Sequence, residues 1–259
     1  MKRIIGLLTV TLLLAGCTGN NGIINTDNTD NTDNGKTSKA PEETEEKTED
    51  VIEEISLITE DDVFTEGSTE QLVNPAYPLP ETYEPEDLEY VDLLSTQDTY
   101  LRSEANVALR ELFEAASDEG LELYAVSGYR SYVTQEGLYN NYVNQHGQEE
   151  ADRFSAKPGT SEHQTGLVMD VSSESAYFGL SESFEETPEG EFVKNNAHKY
   201  GFIVRYLDGK EDITGYMYEP WHIRYLGKEL AQDVYDSGLT YEEYIESNDI
   251  SITPVSDVE

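Results

Sequence analysis

Three short segments of this chain concentrate side chains able to do chemistry. They are Ser127-Gly128-Tyr129-Arg130-Ser131, Ser161-Glu162-His163-Gln164-Thr165-Gly166-Leu167-Val168-Met169-Asp170 and Glu219-Pro220-Trp221-His222-Ile223-Arg224-Tyr225. Singly, each has a plain structural explanation: Arg130 as half of an ion pair, His163 as a loop histidine, Glu219 as one carboxylate among the 54 acidic residues. Together they describe a metal centre. A catalytic zinc site commonly takes three nitrogen or oxygen ligands from protein and leaves one position for water, and His163, Asp170 and His222 supply two imidazoles and one carboxylate. The spacing from His163 to Asp170, with Gly166 between them, suits a turn that brings both side chains to one ion. Asp170 lies between Met169 and Val171, where an unpaired carboxylate is costly to bury and a cation would offset the cost.

Glu219 precedes His222 by three residues, placed to reach the same centre without ligating it. Zinc lowers the pKa of bound water to about 7, and a carboxylate within reach can take that proton and pass it to a leaving amine. Arg130 offers a rigid cationic fork for a developing oxyanion or a substrate carboxylate. These parts make a metallopeptidase. An iron oxygenase with two histidines and one carboxylate shares the ligand set, but Glu219 and Arg130 suit hydrolysis better. His146 and His198 match no metal position and read as surface residues. Trp221, the only tryptophan, reads as a stacking surface for substrate or as a core wedge that orients His222.

The elements that must carry these residues follow from periodicity. Residues 97–118 place Leu101, Ala105, Ala108, Leu109, Leu112, Phe113 and Ala116 at helical spacing, and Gly120 ends the run. Residues 121–127 alternate as a strand, 132–146 resume a helical pattern, and 167–171 are short and apolar enough for a buried strand. A helix over 189–200 ended by Gly201, strands over 202–206 and 221–225, and helices over 228–237 and 241–247 complete the chain. Short strands without regular βαβ alternation predict an α+β domain around a small, largely antiparallel sheet flanked by helices, with the metal site at the sheet. Residues 72–92, punctuated by Pro75, Pro78, Pro80 and Pro85, are expected to wrap extended over the surface.

Composition removes other classes. The 259 residues carry a net charge of −38 and one cysteine, which excludes a general nucleic-acid binder and any disulfide framework or Cys-rich metal site. Lys2 and Arg3, the apolar run over 4–14 and the small residues Ala15 and Gly16 read as a signal segment, too short to cross a bilayer as a helix. Leu14-Ala15-Gly16-Cys17 resembles the lipobox of bacterial lipoproteins, which implies that Cys17 is the lipidated N-terminus. Residues 18–70 hold 16 acidic and 3 basic residues, a triple Asn-Thr-Asp repeat and few aromatics, a composition that predicts a disordered tether. The expected domains are therefore a signal peptide over 1–16, a lipidated cysteine and acidic tether over 17–70, a catalytic domain over 71–250 and a tail over 251–259.

In order and spacing, the SGYRS, SxHxxGxxxD and ExWH stretches resemble the zinc D-alanyl-D-alanine carboxypeptidases of the vancomycin-resistance (VanY-like) type and their L,D-carboxypeptidase relatives. The similarity runs over residues 74–245. It includes Ser155-Ala156-Lys157-Pro158-Gly159 and Gly201-Phe202-Ile203-Val204-Arg205-Tyr206. The resemblance implies a D-Ala-D-Ala carboxypeptidase/Hedgehog-like fold and one zinc ion on His163, Asp170 and His222. It makes Glu219 the catalytic base and Arg130 the transition-state stabiliser. Ser161, Gln135 and Tyr129 become candidates for binding the peptide's end. Val168 stands where many relatives have Ala, a change compatible with a core-facing strand. The implied activity is removal of the terminal D-alanine from peptidoglycan stem peptides by an extracytoplasmic protein, lipid-anchored to the membrane of a Gram-positive bacterium. The alternatives are D,D-dipeptidase or endopeptidase action at the same site, or an inactive wall-peptide-binding lipoprotein.

Overall fold

The structure, a computed structural model, describes residues 56–258. The expected signal segment, Cys17 and the tether up to residue 55 lie outside the described residues. A four-stranded sheet, entirely antiparallel, organises the domain in the order β3-β4-β6-β5. Its strands are β3 (Tyr124–Ser127), β4 (Val168–Ser172), β5 (Phe202–Tyr206) and β6 (Glu219–Tyr225). A two-stranded ribbon of β1 (Leu88–Tyr90) and β2 (Tyr100–Arg102) stands beside it.

The two faces of the sheet have different tasks. Met169, Val171, Phe202, Trp221 and Ile223 point to one side and form a single apolar cluster with Leu109, Leu112, Phe113 and Ala116 of α2 (Ser103–Asp118) and Phe192 and Val193 of α5 (Pro188–Asn196). Each fully buried side chain of this size contributes roughly 1.5–3 kcal/mol. The alternate residues Asp170, His222, Ile203 and Arg205 point to the other side. There Ile203 joins a second cluster with Leu230, Ala231 and Val234 of α7 (Lys228–Ser237) and Tyr241, Tyr244 and Ile245 of α8 (Tyr241–Ser247). The buried Asp170 and His222 sit on this second face, beside its apolar cluster.

The folded unit begins earlier than the composition suggests. Residues 56–70, expected as tether, contain α1 (Glu60–Phe64), closed by a capping box between Thr59 and Asp62. Ile58 and Val63 are buried in the second cluster with Leu72. Tyr241 Oη donates to the Glu70 carbonyl, and Arg224 donates to the carbonyls of Thr69 and Gln71. A few well-placed apolar residues outweigh the acidic average of the segment. Ile58→Ala is expected to lower the unfolding free energy by about 2–5 kcal/mol, read from urea denaturation; an unchanged midpoint would put this segment outside the core.

Further expectations change: the strand foreseen over 121–127 begins only at Tyr124, and the helix foreseen over 189–200 passes at Ala197 from α-helix into a 3-10 turn. The helix foreseen over 97–118 starts only at Ser103, because Tyr100–Arg102 pairs with Leu88–Tyr90 as β2. His198, read as a surface residue, is buried and stacks on Tyr235 with ring centroids 3.6 Å apart; burial lowers its pKa. The helices α3 (Tyr132–His146), α7 and α8 have the bounds that periodicity gives. No helix of the described residues is long and apolar enough to cross a membrane.

Candidate active site

Asp170 of β4 and His222 of β6 are direct cross-strand partners, so their side chains leave the sheet on the same face a few ångströms apart. His163 comes from the short 3-10 turn Glu162–Thr165 that precedes β4. The turn ends at Gly166, whose φ of 69° is left-handed; a Cβ there would also lie 2.9 Å from Leu88 Cδ2. Glycine thus lets the chain reverse between the two candidate ligands.

Glu219 and His222 share β6 at a three-residue spacing, which strict alternation would place on opposite faces. The ladder is irregular at this point. Val204 pairs with Ile223 and Tyr206 with Glu219, so two residues of β5 match four of β6. Pro220, which has no N–H to offer a ladder, lies in this bulge. The bulge re-aims the carboxylate, leaving Glu219 Oε2 3.2 Å from His222 Nδ1.

His163, Asp170 and His222 are all buried, and one ligand atom from each lies within 4.8 Å of the others. His163 Nε2 is 3.3 Å from Asp170 Oδ2, and His222 Nδ1 is 3.2 Å from Asp170 Oδ1. Oδ1 nevertheless has no hydrogen-bond partner among the described residues. An orphaned buried carboxylate oxygen between two imidazoles fits a cation that takes two nitrogens and one oxygen. His163 Nδ1 lies 2.8 Å from the Gly128 carbonyl, and as a donor to it leaves Nε2 as the free lone pair. Gly128 is itself required: a Cβ there would meet the Tyr100 carbonyl at 2.5 Å.

The protein's own groups polarise the two imidazoles in opposite directions. Burial, reinforced by the nearby Arg130 guanidinium, pushes His163 down to about 4. Burial would push His222 down as well, but the carboxylates of Asp170, Glu162 and Glu219 outweigh it and hold the ring well above the ordinary histidine range. Burial likewise opposes ionisation of Asp170, yet His163 and His222 hold its carboxyl far below the usual carboxylate range.

These groups open on a cleft of about 1050 Å³ whose wall includes Arg130, Tyr129, Ser161, Gln135 and Glu219. The structure therefore brings every candidate site residue of the described chain to one place. Gln135 has a distinct part there. Its Oε1 accepts from Arg130 Nη1 at 2.9 Å, while its Nε2 donates to the Ala156 carbonyl at 2.7 Å. It thus orients the guanidinium, whose Nε has no partner among the described residues. Tyr129 Oη also has none there, and burial raises its pKa. Trp221 belongs to the core cluster and also lines the cleft.

Sequence reasoning missed the support behind the centre. Glu162, fully buried, accepts from Arg205 Nε at 2.8 Å and from Arg224 Nη1 at 2.9 Å. Arg205 is in turn forked onto Glu242 of α8 at 2.8 and 2.6 Å. Tyr206 packs its ring 4.7 Å from that of His222. The available signal was an arginine inside each of two apolar strands, since a buried charge demands a partner.

The family model described as "VanY: D-alanyl-D-alanine carboxypeptidase" matches residues 98–228. YodJ of Bacillus subtilis (strain 168), provisionally named a carboxypeptidase, is 52% identical over 180 residues, or 68% of this chain; the chain covers 66% of YodJ, slightly under two thirds of its length. Among solved structures, the LdcB LD-carboxypeptidase has a TM-score of 0.67 at 50% identity, covering 70% of this chain and 86% of that one. A mutant of the vancomycin resistance D,D-pentapeptidase VanY, solved in complex with Zn(II), has a TM-score of 0.59 at 32% identity, covering 70% and 99%.

Proposed function

This chain belongs to the VanY family of D-alanyl-D-alanine carboxypeptidases, and on that premise we propose that it is a zinc carboxypeptidase removing the terminal D-alanine from peptidoglycan stem peptides, with the L,D bond of the tetrapeptide as its preferred target. The observation that carries this reading is the convergence of His163, Asp170 and His222 within 4.8 Å, with Glu219 at 3.2 Å from His222 and Arg130 in the same cleft. The bond preference rests on the greater likeness to the LdcB LD-carboxypeptidase, 50% identical against 32% for the D,D-pentapeptidase.

His163 Nε2, Asp170 and His222 Nδ1 would hold the ion. When bound, zinc supplies Lewis-acid polarisation of the scissile carbonyl and activation of water at neutral pH. Glu219, its side chain 19% exposed at the mouth of the centre, removes a proton from the attacking water and returns it to the leaving amine of D-alanine. Arg130, oriented by Gln135, presents its remaining donors to the oxyanion or to the substrate's free carboxylate. Ser161 and Tyr129 add hydroxyls to the wall that meets the peptide's end.

The test is incubation of the purified, zinc-loaded protein with tetrapeptide and pentapeptide stems side by side, followed by mass spectrometry. Release of D-alanine is expected, faster from the tetrapeptide. Release of intact D-alanyl-D-alanine would instead mark a dipeptidase, and binding without turnover an inactive recognition module.

Zinc uptake is expected to depend on pH with a defined sign. The ion takes the neutral imidazole, whereas the surrounding carboxylates hold His222 protonated well above the ordinary range. Binding therefore expels that proton, and affinity rises with pH, by at most about tenfold per unit, until the pH passes the pKa of the ring. Competition with a chromophoric chelator at pH 6, 7 and 8 measures the slope; a flat profile would mean that His222 is already neutral.

The extracytoplasmic, lipid-anchored placement is part of the same proposal. It is supported by Lys2 and Arg3, the apolar run over 4–14 and Leu14-Ala15-Gly16-Cys17. Cys17→Ala should shift the protein from the membrane fraction to the soluble fraction and abolish incorporation of a labelled fatty acid.

A further inference from the structure

Glu162, which the mechanism does not use, lies behind the candidate ligands and is fully buried. Burying an ionised carboxylate is tolerated only where its oxygens are matched by donors. Both arginine bonds, from Arg205 Nε and Arg224 Nη1, converge on the same oxygen, Oε1. The other oxygen, Oε2, accepts no hydrogen bond among the described residues. It lies 3.6 Å from His222 Nε2, and that nitrogen is likewise buried without a partner there. Two orphaned polar atoms of complementary type thus face each other, separated by roughly 0.6–0.7 Å more than an ordinary N–H···O bond.

The geometry points to Glu162 as a positioning residue: its free Oε2 takes the Nε2–H of His222 and thereby fixes the tautomer that presents Nδ1 to the metal. This inference rests on the reading of His222 as a zinc ligand. His163 has the equivalent support from the Gly128 carbonyl, so each ligand imidazole has its own acceptor behind it. The clamp on Glu162 reaches outward on both sides. Arg224 is also bonded to the carbonyls of Thr69 and Gln71, and Arg205 to Glu242 of α8. The N-terminal segment and the C-terminal helix therefore set the position of one carboxylate oxygen behind the metal centre. A cluster that served folding alone would gain nothing from an unpaired oxygen aimed at a ligand.

Glu162→Gln separates the two roles. If the amide oxygen keeps the arginines, its NH2 group faces Nε2 and favours the tautomer with hydrogen on Nδ1, the metal-facing atom. The zinc Kd is expected to rise 10- to 100-fold, and the cobalt(II)-substituted protein should show an altered visible spectrum. Glu242→Gln is the control, because it disturbs the same arginine without facing His222. It should lower thermal stability while leaving the zinc Kd and the cobalt spectrum near those of the parent. Equal zinc affinity in Glu162→Gln and the parent protein would overturn the inference. Failure of the parent protein to bind zinc would instead overturn the zinc reading on which it rests. Should Glu162→Gln not fold, nitrogen-15 imidazole NMR of the zinc-loaded parent protein decides. A His222 Nε2 proton, downfield and slow to exchange, is expected, and an Nδ1 proton or fast exchange at Nε2 refutes the role.

Discussion

Replacing Glu219 by Gln is expected to lower kcat for D-alanine release by about a thousandfold, within the 10²–10⁴ range that a positioned general acid–base group contributes, while one zinc per chain is retained. The amide keeps the size of the carboxylate, so the bulge at Pro220 and the packing of Trp221 are undisturbed. It cannot accept the proton of the attacking water. Retention of zinc follows from the electrostatics. Glu219 is one of three carboxylates that hold the proton on His222, and neutralising it weakens the proton's competition with the metal. KM should change little, because in the proposed function the substrate's end meets Arg130 and not Glu219. Turnover by mass spectrometry and metal content by elemental analysis, made on the same preparation, check both halves. Undiminished release of D-alanine would remove Glu219 as the base.

The candidate site of this protein was legible in its sequence because such chemistry leaves few choices of residue. Two of the four histidines, one aspartate inside an apolar strand and one glutamate three positions from a histidine suffice to sketch the centre, and the structure brings them together. The way Glu219 and His222 come to share a face was not legible. Alternation along a strand separates them, and only the pairing of two residues of β5 with four of β6 reconciles them. The same limit applies to Glu162. It stands beside a candidate ligand in the chain, but its role depends on Arg205 and Arg224 reaching it from residues 43 and 62 positions away. Composition misplaced the start of the domain for a related reason: burial of Ile58 and Val63 is set by where α7 and α8 stand, and an average over the acidic segment conceals two apolar side chains.

Asp170→Asn is expected to act at the opposite end of the reaction from Glu219→Gln, weakening zinc binding by orders of magnitude and with it turnover, in a protein that still folds. Asp170 is nearly fully buried between His163 Nε2 at 3.3 Å and His222 Nδ1 at 3.2 Å, so its charge is what makes the pocket hospitable to a cation. The amide preserves volume and one oxygen donor but removes that charge. Breaking a buried charge pairing typically costs about 3–5 kcal/mol, which converts to a roughly hundred- to several-thousand-fold weaker zinc affinity. Thermal stability without zinc should fall as well, because His222 loses the largest of the hydrogen-bonded partners that hold its proton. Far-UV circular dichroism should still report the parent secondary structure, since the core face of β4, with Met169 and Val171, is untouched. Elemental analysis, chelator competition and stem-peptide digestion on the variant give the three readouts. Full zinc stoichiometry with an unchanged Kd would show that the ion does not rest on Asp170, whereas loss of both metal and turnover, set against the zinc-retaining Glu219→Gln protein, assigns binding of the ion and transfer of the proton to different carboxylates.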